Sequence, residues 1–318
     1  MSKFTGKLFK REFLTPSEAS KKTLHLEILT TEKISYLPGD SIAVDVINPL
    51  PQVKKWLKKH NRDKNESIEH RRTKEIINLE SYLLHHVNLQ SIGDGSLERA
   101  RPLMPRFYSI ASSNRIHPNT LHLLITLDEF VADDGEPTMG VASHFFSNHL
   151  TLNDPVTFKL YPNDTFRLPA PETPIIMIGS GTGLAPYKAF LEERVATNAS
   201  GFNWLIFGEQ YRASHFYYAP FFTDLEAKNL LKLSLAFSRD QAEKIYVQDR
   251  LAQEASTLFS LLDQGAVIYI CGDAKQMAKG VTETLETLFQ QKTACTDDEA
   301  RDWLRTLKAK KQLLLDVY

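Results

Sequence analysis

Residues 175–190 read IIMIGSGTGLAPYKAF, and the fold turns on how the apolar run ends. Gly179, Gly181 and Gly183 stand at alternate positions, and Pro186 then opens a helix-forming stretch. A buried strand, a glycine-rich turn and a helix make a βα unit. The glycines permit positive φ and close backbone approach. Pro186 suits a first helical turn, where a missing N–H costs nothing. The N–H groups and dipole at such a helix start face an anion. The spacing is not the G-x-G-x-x-G fingerprint, because Leu184 takes the place of the third glycine. Taken alone, the turn reads either as a phosphate cradle or as a tight connection.

Toward the C-terminus the same rhythm repeats. NWLIFG (203–208), LKLSLAF (231–237) and AVIYICG (266–272) each precede a helical pattern, from about 217, over 247–262 and over 274–291. A helix near 297–310 leads into QLLLDVY (312–318), read as a last strand. Strands alternating with helices predict a parallel sheet.

Toward the N-terminus, three prolines in RLPAPETP (167–174) mark a switch. Before them, LHLEIL (24–29), SIAVDVI (41–47), RFYSIAS (106–112), LHLLITL (121–127) and VTFKLY (156–161) predict antiparallel sheet closed as a barrel. The expected domains are a barrel over 1–168 and an α/β domain over 169–318. An insertion over about 50–100 interrupts the barrel. Its segment 53–74 carries nine Lys/Arg against three acidic residues and reads as a short helix and a solvated loop.

The 318 residues suffice for two domains, and a net charge of −1 gives no global pull toward nucleic acid or membrane. Two cysteines exclude a disulfide framework. The opening MSKFTGKLFKREFL lacks a signal-peptide core, and no apolar window reaches membrane-span length. A cytoplasmic protein without a metal site is the expectation.

Local chemistry sharpens the glycine turn. In SRDQAEKIYVQ (238–248), just after a strand, Ser238, Arg239 and Lys244 offer a hydroxyl, a planar fork of donors and a point charge. These hold a phosphate monoester, and Tyr246 can stack on an adenine. Together with the turn, they favour a 2′-phosphorylated dinucleotide, NADPH rather than NADH. In MPRFYSIASS (104–113), Arg106 and Tyr108 share one strand face, an arginine for a diphosphate and a plate for a flat ring. GVASHFFSNHL (140–150) offers Gly140 and Ser143 at another helix start.

The segments RFYS, GVAS, GSGTGLAP, SRDQAEKIYVQ, CGDAKQMAKG and the final DVY occur in the order of the ferredoxin–NADP reductase-like FAD/NADPH module of diflavin reductases, the sulfite reductase flavoproteins among them. The chain resembles that family over nearly its whole length, most strongly from residue 104. The resemblance implies a two-domain fold: an antiparallel β-barrel for FAD and a parallel-sheet α/β domain for NADP. It implies that Arg106, Ser143 and the backbone of Gly140, Val141 and Ala142 hold the FAD diphosphate, with Phe107 in the same strand. Tyr108 would cover one isoalloxazine face and Tyr318 the other, with Ser109 near N5. Ser109, Cys271 and Asp316 would surround the path of a hydride from NADPH to FAD. Cys271 also reads as a small apolar core residue. Gly181, Thr182 and Gly183 would lie along the NADPH diphosphate, and Ser238, Arg239, Lys244, Tyr246 and Gln248 at its 2′-phosphate end.

The implied activity is that of an NADPH-dependent flavoprotein reductase. It would serve a one-electron carrier: a flavodoxin-like FMN protein, a ferredoxin or the haemoprotein of a sulfite reductase. A stand-alone NADPH–flavodoxin or ferredoxin reductase is the alternative, and a dinucleotide-binding protein without turnover is a third reading. Three departures from the family stand out. No flavodoxin-like FMN domain precedes the FAD module, the helical insertion is short, and Gly280 stands where an acidic residue often follows MAK. Lys54, Lys55, Lys58, Lys59, Arg71 and Arg72 offer a docking surface for an acidic carrier.

Overall fold

The computed structural model describes residues 3–92, 96–131 and 135–318. Up to residue 161 the chain forms β1 (Lys3–Phe13), β2 (Thr23–Thr30), β3 (Ser41–Val44), α1 (Leu50–Lys59), β4 (Ser67–Glu69), β5 (Ile76–Asn78) and α2 (Leu79–His85). It continues through β6 (Arg106–Ser109), β7 (Thr120–Thr126), β8 (Glu129–Val131), β9 (Pro137–Met139), α3 (Val141–His144) and β10 (Pro155–Tyr161). Six of these strands, in the order β6-β3-β10-β1-β2-β7, form a nearly closed antiparallel barrel. Strand β1 has no counterpart in the sequence reading. Its exposed positions mix lysines with Thr5, Phe9, Glu12 and Phe13, and only Gly6 and Leu8 are buried, so no apolar alternation announces it.

The rest of the chain forms β11 (Ile175–Ser180), α4 (Leu184–Ala196), β12 (Asn203–Glu209), α5 (Arg212–His215), α6 (Ala219–Ala227), β13 (Lys232–Phe237) and α7 (Val247–Gln253). Then come α8 (Ala255–Asp263), β14 (Val267–Gly272), α9 (Met277–Thr293), α10 (Asp297–Ala309) and β15 (Leu313–Val317). The expected helix over 247–262 is two helices, α7 and α8. Glu254 breaks it at φ −111°, ψ 27° and pairs with Lys232 at 3.0 Å.

Contacts divide the chain into two compact units. The first comprises Met1–Phe9, Ile42–Tyr108 and Leu127–Leu160. The second comprises Lys10–Ser41, Ser109–Thr126 and Tyr161–Tyr318. In the first, β1 and β10 pair from Lys3↔Lys159 to Lys7↔Pro155. The insertion has a small core of its own, built from Val53, Trp56 and Leu57 of α1 and Leu79, Tyr82 and Leu83 of α2. Its expected solvated loop contains a hairpin instead, β4 against β5, with Lys74 paired to Glu69 at 2.8 Å. Asn78 ends that hairpin and caps α2, accepting from the Ser81 N–H at 2.7 Å.

In the second unit the parallel sheet runs β13-β12-β11-β14-β15. Alternate residues of β11 point to opposite faces. Ile175 and Met177 enter one apolar core with Tyr187 and Phe190 of α4, while Ile176 and Ile178 enter another with Val281 and Leu285 of α9. Burial on both faces is why the strand reads as a continuous apolar run. Among the described residues no helix is long and apolar enough to cross a membrane.

The same unit contains a buried polar network joining β2, β7, α4 and the start of α6. His25 Nδ1 meets Tyr218 Oη at 2.9 Å, and its Nε2 meets Glu27 at 3.1 Å. The His122 ring lies 5.1 Å from that of His25 and 4.1 Å from that of His117. Glu192 binds Lys188 and accepts from the Ser113 N–H at 2.8 Å. Burial, reinforced by the nearby Lys188 charge, pushes the His122 pKa down to about 2, and burial lowers that of His25. The His122 imidazole therefore stays neutral in the folded state, and that of His25 resists protonation, while the unfolded chain takes up protons below about pH 6.5. Stability should be full above that pH and fall as pH drops toward 2, by about 1.4 kcal/mol per pH unit for His122. Urea unfolding between pH 7.5 and 4.5 checks this, and His122→Asn should flatten the slope.

Candidate functional site

The turn after β11 uses its glycines for two different reasons. Gly181 alone has a positive φ, +57°. Gly183 does not, yet a Cβ there would sit 2.1 Å from the carbonyl oxygen of Cys271. Gly179, opposite Cys271 in the β11–β14 register, is nearly as confined, with Tyr187 at 2.8 Å. Gly181 shapes the turn, and the other two let it settle against β14. Leu184, where a third fingerprint glycine would stand, is fully buried core.

Above this turn lies a cleft of about 780 Å³. Its lining includes Ser180, Gly181 and Thr182 of the turn, Ser238, Tyr246 and Gln248 of the 238–248 segment, and Tyr318. Ser238 sits past β13, its N–H donating to the Glu209 carbonyl at 2.9 Å. Tyr246 precedes α7, its N–H held by Asp249 at 2.7 Å. Arg239 and Lys244 are outside the lining and stand exposed on the same segment. The site gathers open donors, positive φ and close backbone approach at one helix start, which suits a dinucleotide diphosphate. Gly280 on α9 faces Gln248, whose Nε2 would lie 3.1 Å from a Cβ there. A larger residue would crowd that amide, so this departure from the family pattern leaves Gln248 its place.

Strand register brings Cys271, Asp316 and the following Tyr318 together, and a side-chain hydrogen bond joins Ser109 to them. Cys271 of β14 is paired with Asp316 of β15. Ser109 donates to Asp316 Oδ2 at 3.3 Å. Burial raises the Asp316 pKa, and the serine hydrogen bond partly offsets it. Cys271 is fully buried, and burial with the Asp316 charge holds its thiol protonated. Tyr318 continues past β15, donates its N–H to the Gly272 carbonyl at 3.1 Å, and joins its hydroxyl to that of Thr182 at 2.8 Å. Its ring is thereby tied to the glycine turn.

In the first unit, Arg106, Phe107 and Tyr108 lie along β6. Tyr108 stacks edge-on against Phe146, ring centroids 5.5 Å apart, and burial raises its phenol pKa. Arg106 reaches the Met104 carbonyl at 2.5 Å. Gly140 precedes α3 (Val141–His144), whose start no side chain caps. Ser143 Oγ accepts from the Asp128 N–H at 2.8 Å and keeps its own hydrogen to donate. Arginine, open N–H groups and a hydroxyl fit a second diphosphate.

Several cleft residues carry no role in the sequence reading: Lys21, Glu209, Asp273, Gln276 and Met277. Lys21 lies far from the turn in sequence, in a segment without a pattern, and only folding brings it there. Asp273 sits inside the CGDAKQMAKG segment, where its carboxylate accepts from the N–H groups of Lys275 at 2.6 Å and Gln276 at 2.9 Å.

The family described as oxidoreductase NAD-binding domain matches residues 177–283, and the FAD binding domain matches residues 94–145. The chain is 42% identical over 220 residues to the sulfite reductase [NADPH] flavoprotein alpha-component of Mannheimia succiniciproducens, covering 69% of this chain and 37% of that protein. It is 41% identical over 220 residues to that of Yersinia enterocolitica, covering 69% and 36%. Identity to that of a Shewanella species (strain MR-7) is 40% over 253 residues, covering 74% and 41%. These alignments span about two fifths of the curated relatives' own length.

The glycine substitutions should separate packing from conformation. Gly183→Ala, forced against a backbone carbonyl, should cost about 3 kcal/mol of stability. Gly181→Ala should cost about 1 kcal/mol for its left-handed backbone and weaken dinucleotide binding more than it weakens the fold. Urea midpoints and NADP+ titrations on both variants measure the difference. Matching an FAD binding domain and an oxidoreductase NAD-binding domain, on a barrel and a parallel sheet, the chain has the two-domain fold of the ferredoxin–NADP reductase-like module.

Proposed function

We propose that this module oxidises NADPH and passes the electrons, through FAD, to a separate protein carrier, as the reductase part of a sulfite reductase does. The observation that carries the reading is the cleft over Gly181, which gathers the turn, the 238–248 segment and Tyr318 around one space. Bound FAD would supply the change from two-electron to one-electron chemistry. Residues 1–168 would form the FAD-binding domain and 169–318 the NADP-binding domain, in a cytoplasmic protein.

The chain's own residues bind, orient and shield. Arg106 and Ser143, with the backbone of Gly140, Val141 and Ala142, would neutralise the FAD diphosphate. Tyr108 would offer its ring to the flavin, with Phe107 beside it. Gly181, Thr182 and Gly183 would lie along the NADPH diphosphate. Ser238, Arg239 and Lys244 would take the 2′-phosphate, with Tyr246 and Gln248 beside the adenosine. Tyr318 would have to release Thr182 before a nicotinamide could lie over the turn. Ser109 and Asp316 would hold and move a proton at the reacting edge, while Cys271, protonated and buried, would help to keep water out.

Anaerobic stopped flow tests the reading directly. With NADPH the flavin should bleach rapidly; with NADH it should bleach about a hundredfold more slowly, the worth of one or two charge-assisted hydrogen bonds to the 2′-phosphate. No bleaching by either would leave a dinucleotide-binding protein on a reductase fold.

The carrier would dock at the insertion. Lys54, Lys55, Lys58 and Lys59 are exposed on α1, opposite Val53, Trp56 and Leu57. Arg72 is exposed as well, while Arg71 is partly engaged with the Leu97 and Ala100 carbonyls. Reversing Lys54, Lys58 and Lys59 to Glu should slow carrier reduction about tenfold at low salt and flatten its salt dependence. Bleaching by NADPH should not change. Flavodoxin, ferredoxin and a sulfite reductase haemoprotein, assayed side by side, identify the carrier, and an unchanged salt profile would place docking elsewhere.

A further inference from the structure

Lys21 is the only lysine or arginine among the described residues that line the cleft, and it is already neutralised. Its ammonium meets Glu209 Oε2 at 2.5 Å. The Glu209 side chain is only 5% exposed. It also accepts from the Gln210 N–H at 3.0 Å and from Tyr217 Oη at 3.5 Å, so it is held rather than free to swing away. Both charges sit over the one turn residue with positive φ. From the point where a Gly181 Cβ would stand, Lys21 Nζ is 3.0 Å away and Glu209 Oε2 is 3.4 Å away. A fixed anion therefore occupies the mouth of an anion cradle.

We propose that Glu209 is a built-in competitor for Lys21 that sets the affinity for NADP(H) by holding it down. The proposal rests on the NADPH reading of the site. A dinucleotide's diphosphate entering over Gly181 must share Lys21 with a carboxylate or draw it away. Drawing it away would leave a buried carboxylate without its cation, which is costly. Sharing it places like charges a few ångströms apart, one of them on a side chain that water barely reaches. In either case bound dinucleotide is weakened and leaves sooner, which suits a module that must exchange NADP+ for NADPH at every turnover. The pair thus acts on the affinity for the diphosphate, a feature NADPH and NADH share, and leaves the choice between them to the 238–248 segment.

Equilibrium titration with NADP+, followed by protein fluorescence on the flavin-loaded protein, tests this with four chains. Glu209→Gln keeps the shape and should tighten NADP+ binding about tenfold while slowing its release. Lys21→Met should weaken binding about tenfold or more, because the carboxylate then faces the diphosphate alone. The double variant should return to within about threefold of the unaltered protein, an outcome that a purely structural role for the pair would not produce. Thermal melts on each variant separate folding losses from binding changes. NADP+ binding by the unaltered protein with an unchanged or weaker affinity in Glu209→Gln would overturn this inference alone. Failure of the unaltered protein to bind NADP+ at all would overturn both it and the reading on which it rests.

Discussion

Everything at the candidate dinucleotide site depends on how closely β11 and β14 approach at their C-terminal ends. The Cys271 carbonyl stands where a side chain on Gly183 would begin, so the turn can fold down onto the neighbouring strand only if residue 183 has none. That contact fixes the start of α4. It also fixes the turn relative to Cys271, and through strand register relative to Asp316 on β15. Parallel sheets place such chemistry at the carboxyl ends of their strands, where each strand can deliver a residue without a long loop. Here two adjacent strands deliver Cys271 and Asp316, and the chain just beyond β15 delivers Tyr318. Precision at this edge comes from backbone packing, and the one polar side-chain atom that residues 266–272 bring into the core, the Tyr269 hydroxyl, is satisfied by the Arg167 carbonyl at 2.6 Å.

The electrostatics of the cleft follow from that compactness. A turn packed against a strand leaves little space for long cationic side chains, so charge must come from outside the parallel sheet. Lys21 arrives from the segment between β1 and β2, while Arg239 and Lys244 stay exposed on the loop past β13. The first is close, confined and neutralised; the others are solvated and free to adapt. A phosphate held close to the turn and one held at the loop would thus meet different dielectric surroundings. A charge near Gly181 weighs more than the same charge on the loop.

How much of this was legible in the sequence depended on distance along the chain. The β11–α4 unit, the alternation after it and the 238–248 segment were readable because each is a local pattern with its own physical reason. The family resemblance added Cys271, Asp316 and Tyr318, and tied Arg106 and Ser143, already readable from their local chemistry, to one cofactor. Strand β1 was not readable, because its outward lysines and phenylalanines blur the period of two, and it takes shape only by pairing with β10. Nor was the hairpin inside the basic insertion, where three-residue strands carry too few residues to show a period. Lys21 and Glu209 lie 188 residues apart, and no local rule connects them. Arg239 and Lys244 were read as phosphate ligands from their chemistry and their place just after a strand, and the fold stands them exposed on the segment beside the cleft rather than in its lining.

Proton handling at the β14–β15 edge narrows to a single group. Cys271 is buried beside a carboxylate, and both influences push its thiol up, so it stays protonated. Tyr187, beneath the turn, is fully buried; its phenol pKa is raised mainly by desolvation, and its hydroxyl is committed to the Ile178 and Tyr269 carbonyls at 2.7 and 3.0 Å. Asp316 differs from both. Burial raises its pKa, and the Ser109 hydrogen bond holds it below what burial alone would give. The serine therefore does two jobs with one hydrogen: it orients the carboxylate and moderates its basicity. A buried, protonated thiol beside that carboxylate would leave Asp316 as the one proton-carrying group at this edge, set by strand register and burial and requiring no histidine in the trio.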